Sequence, residues 1–210
     1  MIARWTRSLP PSPTFARGPT PSRIETAASG RCNYRDWRAI YNAFDRALAE
    51  PVERWQHEFV ETALYAIARD NENFRLVYQI PIASLAWFAG QARVYPDTDA
   101  RWQFAMRLGT DPIPDGERLL LQFFDDTDEY VRRRALGSLA RLGSATVTDL
   151  ALHEWNTAAA DFPWTRMNAL HALHRVSSPA YPAKLAEALA SPEPLLAEYA
   201  GKLARGEDVT

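Results

Sequence analysis

The sequence predicts an all-α protein, a short solenoid of helix pairs, and three observations carry that prediction. The stretch Asp125–Gly143, DDTDEYVRRRALGSLARLG, reads as a turn, a helix and a helix stop. A fainter copy of it follows 34 residues later. Each copy is preceded, across a short link, by another apolar helix, and a fixed period with two helices per unit marks a solenoid.

In the central stretch, Asp125, Asp126, Thr127 and Asp128 supply oxygens for the free N–H groups that open a helix, and their charge suits the positive end of its dipole. Val131, Ala135, Leu139 and Leu142 recur at steps of three and four, so they share one face. Gly143 stands at the C′ position with Arg141 in the last turn. Upstream, Gly116–Phe124 (GERLLLQFF) is a short apolar helix. The five-residue link Asp125–Glu129 makes the two antiparallel neighbours.

A step of 34 carries Val131, Arg132, Ala135, Leu136 and Leu139 onto Thr165, Arg166, Ala169, Leu170 and Leu173. The second helix of that unit is Pro163–Val176, with proline tolerated in the first turn, and its partner is Ala145–Ala159. A third pair follows, Pro179–Ala190 and then Pro192–Ala204. The pattern Asp128-x-x-Val131-Arg132-x-x-Ala135-x-x-x-Leu139-x-x-Leu142-Gly143 resembles the second helix of a HEAT repeat. The resemblance covers residues 95–205, is strongest in the central copy and weakest in the third. It implies a short right-handed α-solenoid that binds through its concave side, with Asp128 capping its helix and Arg132 packing between adjacent repeats.

The chain divides by composition into four parts. Residues 1–30 hold five prolines and four arginines against one acid, Glu25, and read as a disordered tail. Residues 31–94 are an aromatic-rich helical part, 95–205 the repeats, and 206–210 a short tail. Within 31–94, Tyr34–Glu50 is an amphipathic helix with Trp37, Ile40, Tyr41, Phe44 and Leu48 on one stripe. Pro51 is expected to start the next helix, which runs to Asp70. Asp70–Asn73 is a turn. Phe74–Ile80 reads as helix, with strand over Leu76–Ile82 as the alternative, and Pro81 forces Ile80 out of the α region. Ile82–Gln91 resumes as an apolar segment. Asp99–Leu108 is the last helix before the repeats, with Gly109 as its stop. The aromatic residues Trp37, Tyr41, Phe44, Trp55, Phe59, Tyr65, Phe74, Tyr78, Trp87 and Phe88 suit a cap over the open end of a solenoid, and the alternative is a ligand pocket.

Apolar content of 47% is ample for a core in 210 residues. The net charge of −2 gives no whole-chain signal for nucleic acid or membrane. The single Cys32 excludes an internal disulfide and a cysteine-based zinc site, and suits a reducing cytoplasm. An alanine- and arginine-rich, lysine-poor composition fits a bacterial source. There is no G-x-S-x-G, phosphate-binding glycine loop or H-E-x-x-H, so the reading is of a non-enzymatic chain with no cofactor. His171 and His174, with His153 on the preceding helix, have a spacing that metals use, but no carboxylate is aimed at them and no metal is expected.

The candidate site is a stripe. If the apolar positions face inward, then Tyr130, Arg133, Arg134 and Arg141 point outward, and so do Trp164, Asn168, His171 and Arg175 one repeat later. Lys202 and Arg205 extend the row. Guanidinium forks suit carboxylates and phosphates, and Trp and Tyr anchor. The expected function is a protein–protein interaction module that binds an acidic partner surface, such as a bacterial adaptor or an immunity-type protein, with Arg133 and Trp164 as the leading contacts. The alternative comes from the resemblance: one HEAT-like family consists of DNA glycosylases for alkylated bases, and Asp161 beside Trp164 faintly suggests such a site. A net −5 on residues 31–210 opposes duplex binding. Repeats of this kind also accompany bilin lyases, the third reading. The sequence sets neither the partner's identity nor the oligomeric state.

Overall fold

The computed structural model describes residues 36–158 and 162–207, and among them it is all-helical: eleven α-helices and no strand. The tail at 1–30, Cys32 and Asp161 lie outside the described residues. The chain forms two compact units, residues 1–104 and 105–210.

The first unit contains α1 (Trp37–Leu48), α2 (His57–Arg69), α3 (Arg75–Gln79), α4 (Ile82–Arg93) and most of α5 (Thr98–Leu108). Helix α1 buries Ile40, Tyr41 and Phe44, as its stripe requires. Proline 51 does not start α2. It precedes a 3-10 turn, Val52–Arg54, and α2 begins at His57. The reason is Trp55, which sits between the two. Its backbone is extended, its indole donates to the Ala47 carbonyl at 3.2 Å, and its ring meets Phe59, Trp87 and Phe88. Continuing the helix from Pro51 would break that anchor. The strand alternative over Leu76–Ile82 also fails. Asp70 is buried and accepts from the Leu76 N–H at 2.8 Å and the Tyr41 hydroxyl at 2.7 Å, so it holds the start of α3 from outside the helix. Ile80 is extended, as the following proline demands. The rings of Phe44, Phe59 and Phe88 are fully buried and pack with Trp55, Trp87 and Phe104 in a continuous cluster.

The second unit holds three helix pairs: α6 (Gly116–Phe124) with α7 (Glu129–Leu142), α8 (Val147–Thr157) with α9 (Pro163–Arg175), and α10 (Tyr181–Leu189) with α11 (Pro194–Ala204). The second helices α7, α9 and α11 pack side by side, and α8 touches both α7 and α9. Val131, Ala135, Leu136 and Leu139 of α7, and Ala169, Leu170 and Leu173 of α9, are fully buried, whereas Leu142 is half-buried. Asp128 caps α7 by accepting from the Tyr130 N–H at 2.9 Å, and Gly143 takes the left-handed conformation at φ 70°.

Arg132 has the place between repeats that the resemblance implies. Its guanidinium donates to Glu154 of α8 at 3.2 Å and to the carbonyls of Asp126 and Thr127 at 3.0 and 3.1 Å. The same device occurs one unit earlier, at a step of 31. Asp97 accepts from the Asp99 N–H at 2.9 Å, and Arg101 donates to the carbonyls of Tyr95 and Pro96, each at 2.8 Å. Those carbonyls stand six and five residues before the arginine, as Asp126 and Thr127 do before Arg132. Helix α5 therefore begins as a repeat's second helix does.

Gly109 has a different reason from the expected one. It is not left-handed; the glycines with positive φ among the described residues are Gly143 and Gly206. A Cβ at Gly109 would lie 2.5 Å from Cβ and 2.8 Å from Cα of Ser138, so glycine is there to admit α7. Gly109→Ala should therefore overpack this contact and cost about 1–3 kcal/mol. Asp128→Ala should cost about 0.5–2 kcal/mol as a lost cap. Denaturant unfolding of both variants checks the two values, and unfolding like wild type for either would remove the corresponding contact from the account.

Candidate functional site

Second helices of successive repeats lie in register, and that places the site. Glu129, the first residue of α7, accepts from the Thr165 hydroxyl in the first turn of α9 at 2.8 Å. One turn further on, the Arg133 carbonyl accepts from the Asn168 amide at 3.1 Å. Helices α7 and α9 thus run parallel with their starts together. Gly137 of α7 leaves space opposite Asn168, whose Oδ1 would be 3.6 Å from an added Cβ.

The result is a groove of about 560 Å³ on the face of α7, α9 and α11. Seven of the eight residues of the sequence stripe line it: Arg133, Arg134, Arg141, Trp164, Asn168, His171 and Arg175. Met106, Ser138, Met167 and Tyr199 complete much of the wall, and among the described residues no aspartate or glutamate lines it. Tyr130 is not in the lining. It lies under it, with the guanidinium carbons of Arg133 and Arg134 each 4.7 Å from its ring centroid and its hydroxyl bonded to Arg134.

The arginines fall into two classes. Arg133 is held: it donates to Glu129 at 3.1 Å and stacks on Tyr130, and Arg134 is tied to the same ring and hydroxyl. Arg141 and Arg175 are exposed and form no ion pair among the described residues. They occupy matching positions one 34-residue step apart, in the last turns of α7 and α9. Trp164 is 46% exposed, a large value for an indole on a packed helix face, and it sits in the first turn of α9.

Tyr199 and Met106 were not part of the sequence stripe. Tyr199 comes from α11, and its phenol lies 3.1 Å from Nδ1 of His171. Burial pushes that phenol up to about 12. A step of 31 from Asn168, not 34, would have found it, because Thr165, Ala169 and Ala172 align with the buried Leu196, Ala200 and Leu203 at that step. Lys202 and Arg205 do not extend the row: Lys202 pairs with Glu198 at 2.8 Å and Arg205 with Glu207 at 2.5 Å. His174 turns to the Tyr181 ring, with centroids 4.8 Å apart, so the two histidines of α9 have separate neighbours. Among the described residues no cluster of His, Cys, Asp and Glu is arranged to hold a metal, and no helix is long and apolar enough to cross a membrane.

Residues 118–201 match the family model for HEAT repeats, a span that runs from within α6 into α11 and covers most of the three helix pairs. No curated protein matches the sequence.

The Tyr199 phenol gives a pH signature of this wall. Its folded value lies above the unfolded value of about 10, so the folded chain keeps a proton that the unfolded chain releases. The associated stability is present below about pH 10 and falls as pH rises toward 12. Denaturant midpoints at about pH 9 and 11 should therefore differ less in Tyr199→Phe than in wild type. Tyr95, also pushed up to about 12 by burial, should keep part of the dependence in both proteins.

Proposed function

Since residues 118–201 match the HEAT-repeat family model, and such repeats generally mediate protein–protein interaction, we propose that this chain is a recognition module that binds an acidic protein surface in the α7–α9–α11 groove. The observation that carries the proposal is the composition of the lining among the described residues: four guanidinium groups and an exposed indole, with no carboxylate among them, on a chain whose net charge is negative. A positive face of this kind sets the orientation of an acidic partner in contact with it. The binding contacts are Arg141, Arg175 and Trp164, with Asn168 and His171 as polar partners between them. Arg133, Arg134 and Tyr130 form a rigid edge, because each guanidinium is already engaged. A non-enzymatic adaptor role, in a bacterial cytoplasm, follows from the same reading.

The test is recovery of a partner from lysate of the source cells, with and without nuclease. Wild type should retain a protein that survives nuclease and is released at about 0.5 M salt, where the screening length is only a few ångströms. The double variant Arg141→Glu with Arg175→Glu should lose that protein while melting like wild type. Retention by the double variant, or a signal that nuclease abolishes, would overturn the proposal.

A further inference from the structure

Of the four guanidinium groups that line the groove, two are engaged and two are not. Arg133 donates to Glu129, and Arg134 to the Tyr130 hydroxyl. Arg141 and Arg175 are exposed and enter no ion pair among the described residues. Each stands in the last turn of its helix, where the negative end of the dipole suits a cation. That attraction uses none of the N–H groups of the guanidinium fork. The two side chains face one space. Helices α7 and α9 pack together, parallel and level, and packed helices have axes about 8–10 Å apart. Arg141 and Arg175 hold matching positions on them, and both line the groove. One turn before them stand Gly137 on α7 and His171 on α9, also in the lining. Gly137 puts no side chain between the helices at that level, so the pair stands over an open floor with the imidazole beside it.

Resting on the proposed function above, we infer that the acidic group received by Arg141 and Arg175 is a phosphate monoester, carried on a phosphorylated side chain of the protein partner. Charge and donor count select it. A carboxylate has a single charge and two oxygens, and one guanidinium fork satisfies both. It would leave the second arginine uncompensated. A phosphodiester also has a single charge. A phosphorylated serine, threonine or tyrosine carries about −1.5 to −2 charge at pH 7 on three acceptor oxygens, which suits two forks and two positive charges. Two neighbouring carboxylates match the charge but not the geometry. Each must lie in the plane of its own fork, and they repel each other when brought to one point. The length of the groove favours a phosphate borne on a larger molecule over the free anion. Trp164 is eleven residues before Arg175, about 16 Å along α9 at 1.5 Å per residue. A phosphorylated chain can reach that exposed indole, and free phosphate cannot.

The experiment uses the full chain in anisotropy titrations at low salt, with fluorescein-labelled synthetic peptides of one Gly-Ser sequence. The central position is phosphoserine, serine, or a Glu-Glu pair that matches the phosphate in charge. The phosphoserine peptide should bind at least tenfold more tightly than the Glu-Glu peptide, and the serine peptide should not bind. Arg175→Gln should weaken the phosphoserine peptide at least tenfold. Arg175→Lys keeps the charge and loses the fork, so it should lower the phosphoserine peptide to the Glu-Glu level. Both variants should melt like wild type, because the side chain is exposed, and this separates loss of the site from loss of the fold. Equal affinity of the phosphoserine and Glu-Glu peptides, or phosphoserine binding that survives Arg175→Gln, would overturn the phosphate inference and leave the acidic-partner reading in place. Displacement by inorganic phosphate as effective as by unlabelled phosphoserine peptide would mark a site for the free anion and overturn the phosphorylated partner. If neither acidic peptide binds, or if a single-stranded oligonucleotide displaces the phosphoserine peptide at lower concentration than its unlabelled form does, both readings fall.

Discussion

A helix pair cannot cover its own apolar face, and the interaction that holds one pair to the next here is the Arg132 guanidinium. One side of it closes the turn ahead of its own helix through two backbone carbonyls. The other side meets Glu154, a carboxylate that is only 3% exposed, on the first helix of the following repeat. A buried carboxylate without that partner would carry a desolvation cost of several kcal/mol. So the turn geometry, the cap at Asp128 and the seat of the next repeat are fixed together. Arg166 repeats half of the device: it donates to the Trp155 carbonyl at 3.3 Å and lies over the Trp155 ring. Trp155 in turn donates to Glu187 of α10, so the contact is handed on to the third pair.

The register that this produces is the source of the groove. Once α7 and α9 start level, positions 34 residues apart come to neighbouring places, and Arg141 and Arg175 line one groove. Glu129 makes the register tight, because one carboxylate holds both Arg133 on its own helix and Thr165 on the next. The same bonds that align the helices therefore immobilise Arg133 and leave the arginines in the last turns uncommitted. Position along one helix thus divides the arginines into those that hold the register and those that form no ion pair among the described residues.

That division explains what could be read from the sequence and what could not. The caps, the buried faces and the stop at Gly143 follow from local chemistry, and they appear at the expected residues. The stripe was legible because side-chain direction on a helix is fixed by period, and seven of its eight residues share one groove. What period cannot give is which partner each side chain takes. Arg133 was the leading contact on direction alone, yet Glu129 is four residues before it and claims it. The third repeat was misjudged in the same way: its register steps by 31, which brings Tyr199 into the wall and turns Lys202 and Arg205 to carboxylates of their own. Pro51 is a long-range failure, whereas α5 does stop before Gly109 and only the reason for the glycine is long-range. Glycine serves Ser138, and the helix after Pro51 yields to the Trp55 anchor.

Charge segregation is the step from this architecture to recognition. Acidic residues are not scarce in this chain, which has 26 of them against 24 basic residues. They are used at helix starts and between layers: Asp128 as a cap, Glu154 under Arg132, Glu129 across two repeats, Glu187 on Trp155 and Lys184. Glu154 and Glu187 are thereby spent between helices, and Glu129 is taken up at the edge of the groove by Arg133 and Thr165. The positive groove is thus a by-product of how the repeats are joined, and it needs no excess of basic residues. Its field is local and falls off over about 8 Å at physiological salt, so it acts on a segment already within the groove more than on a distant surface. Under the proposed function, a ligand would bring its acidic groups to Arg141 and Arg175, with the exposed indole of Trp164 at the other end of the same groove.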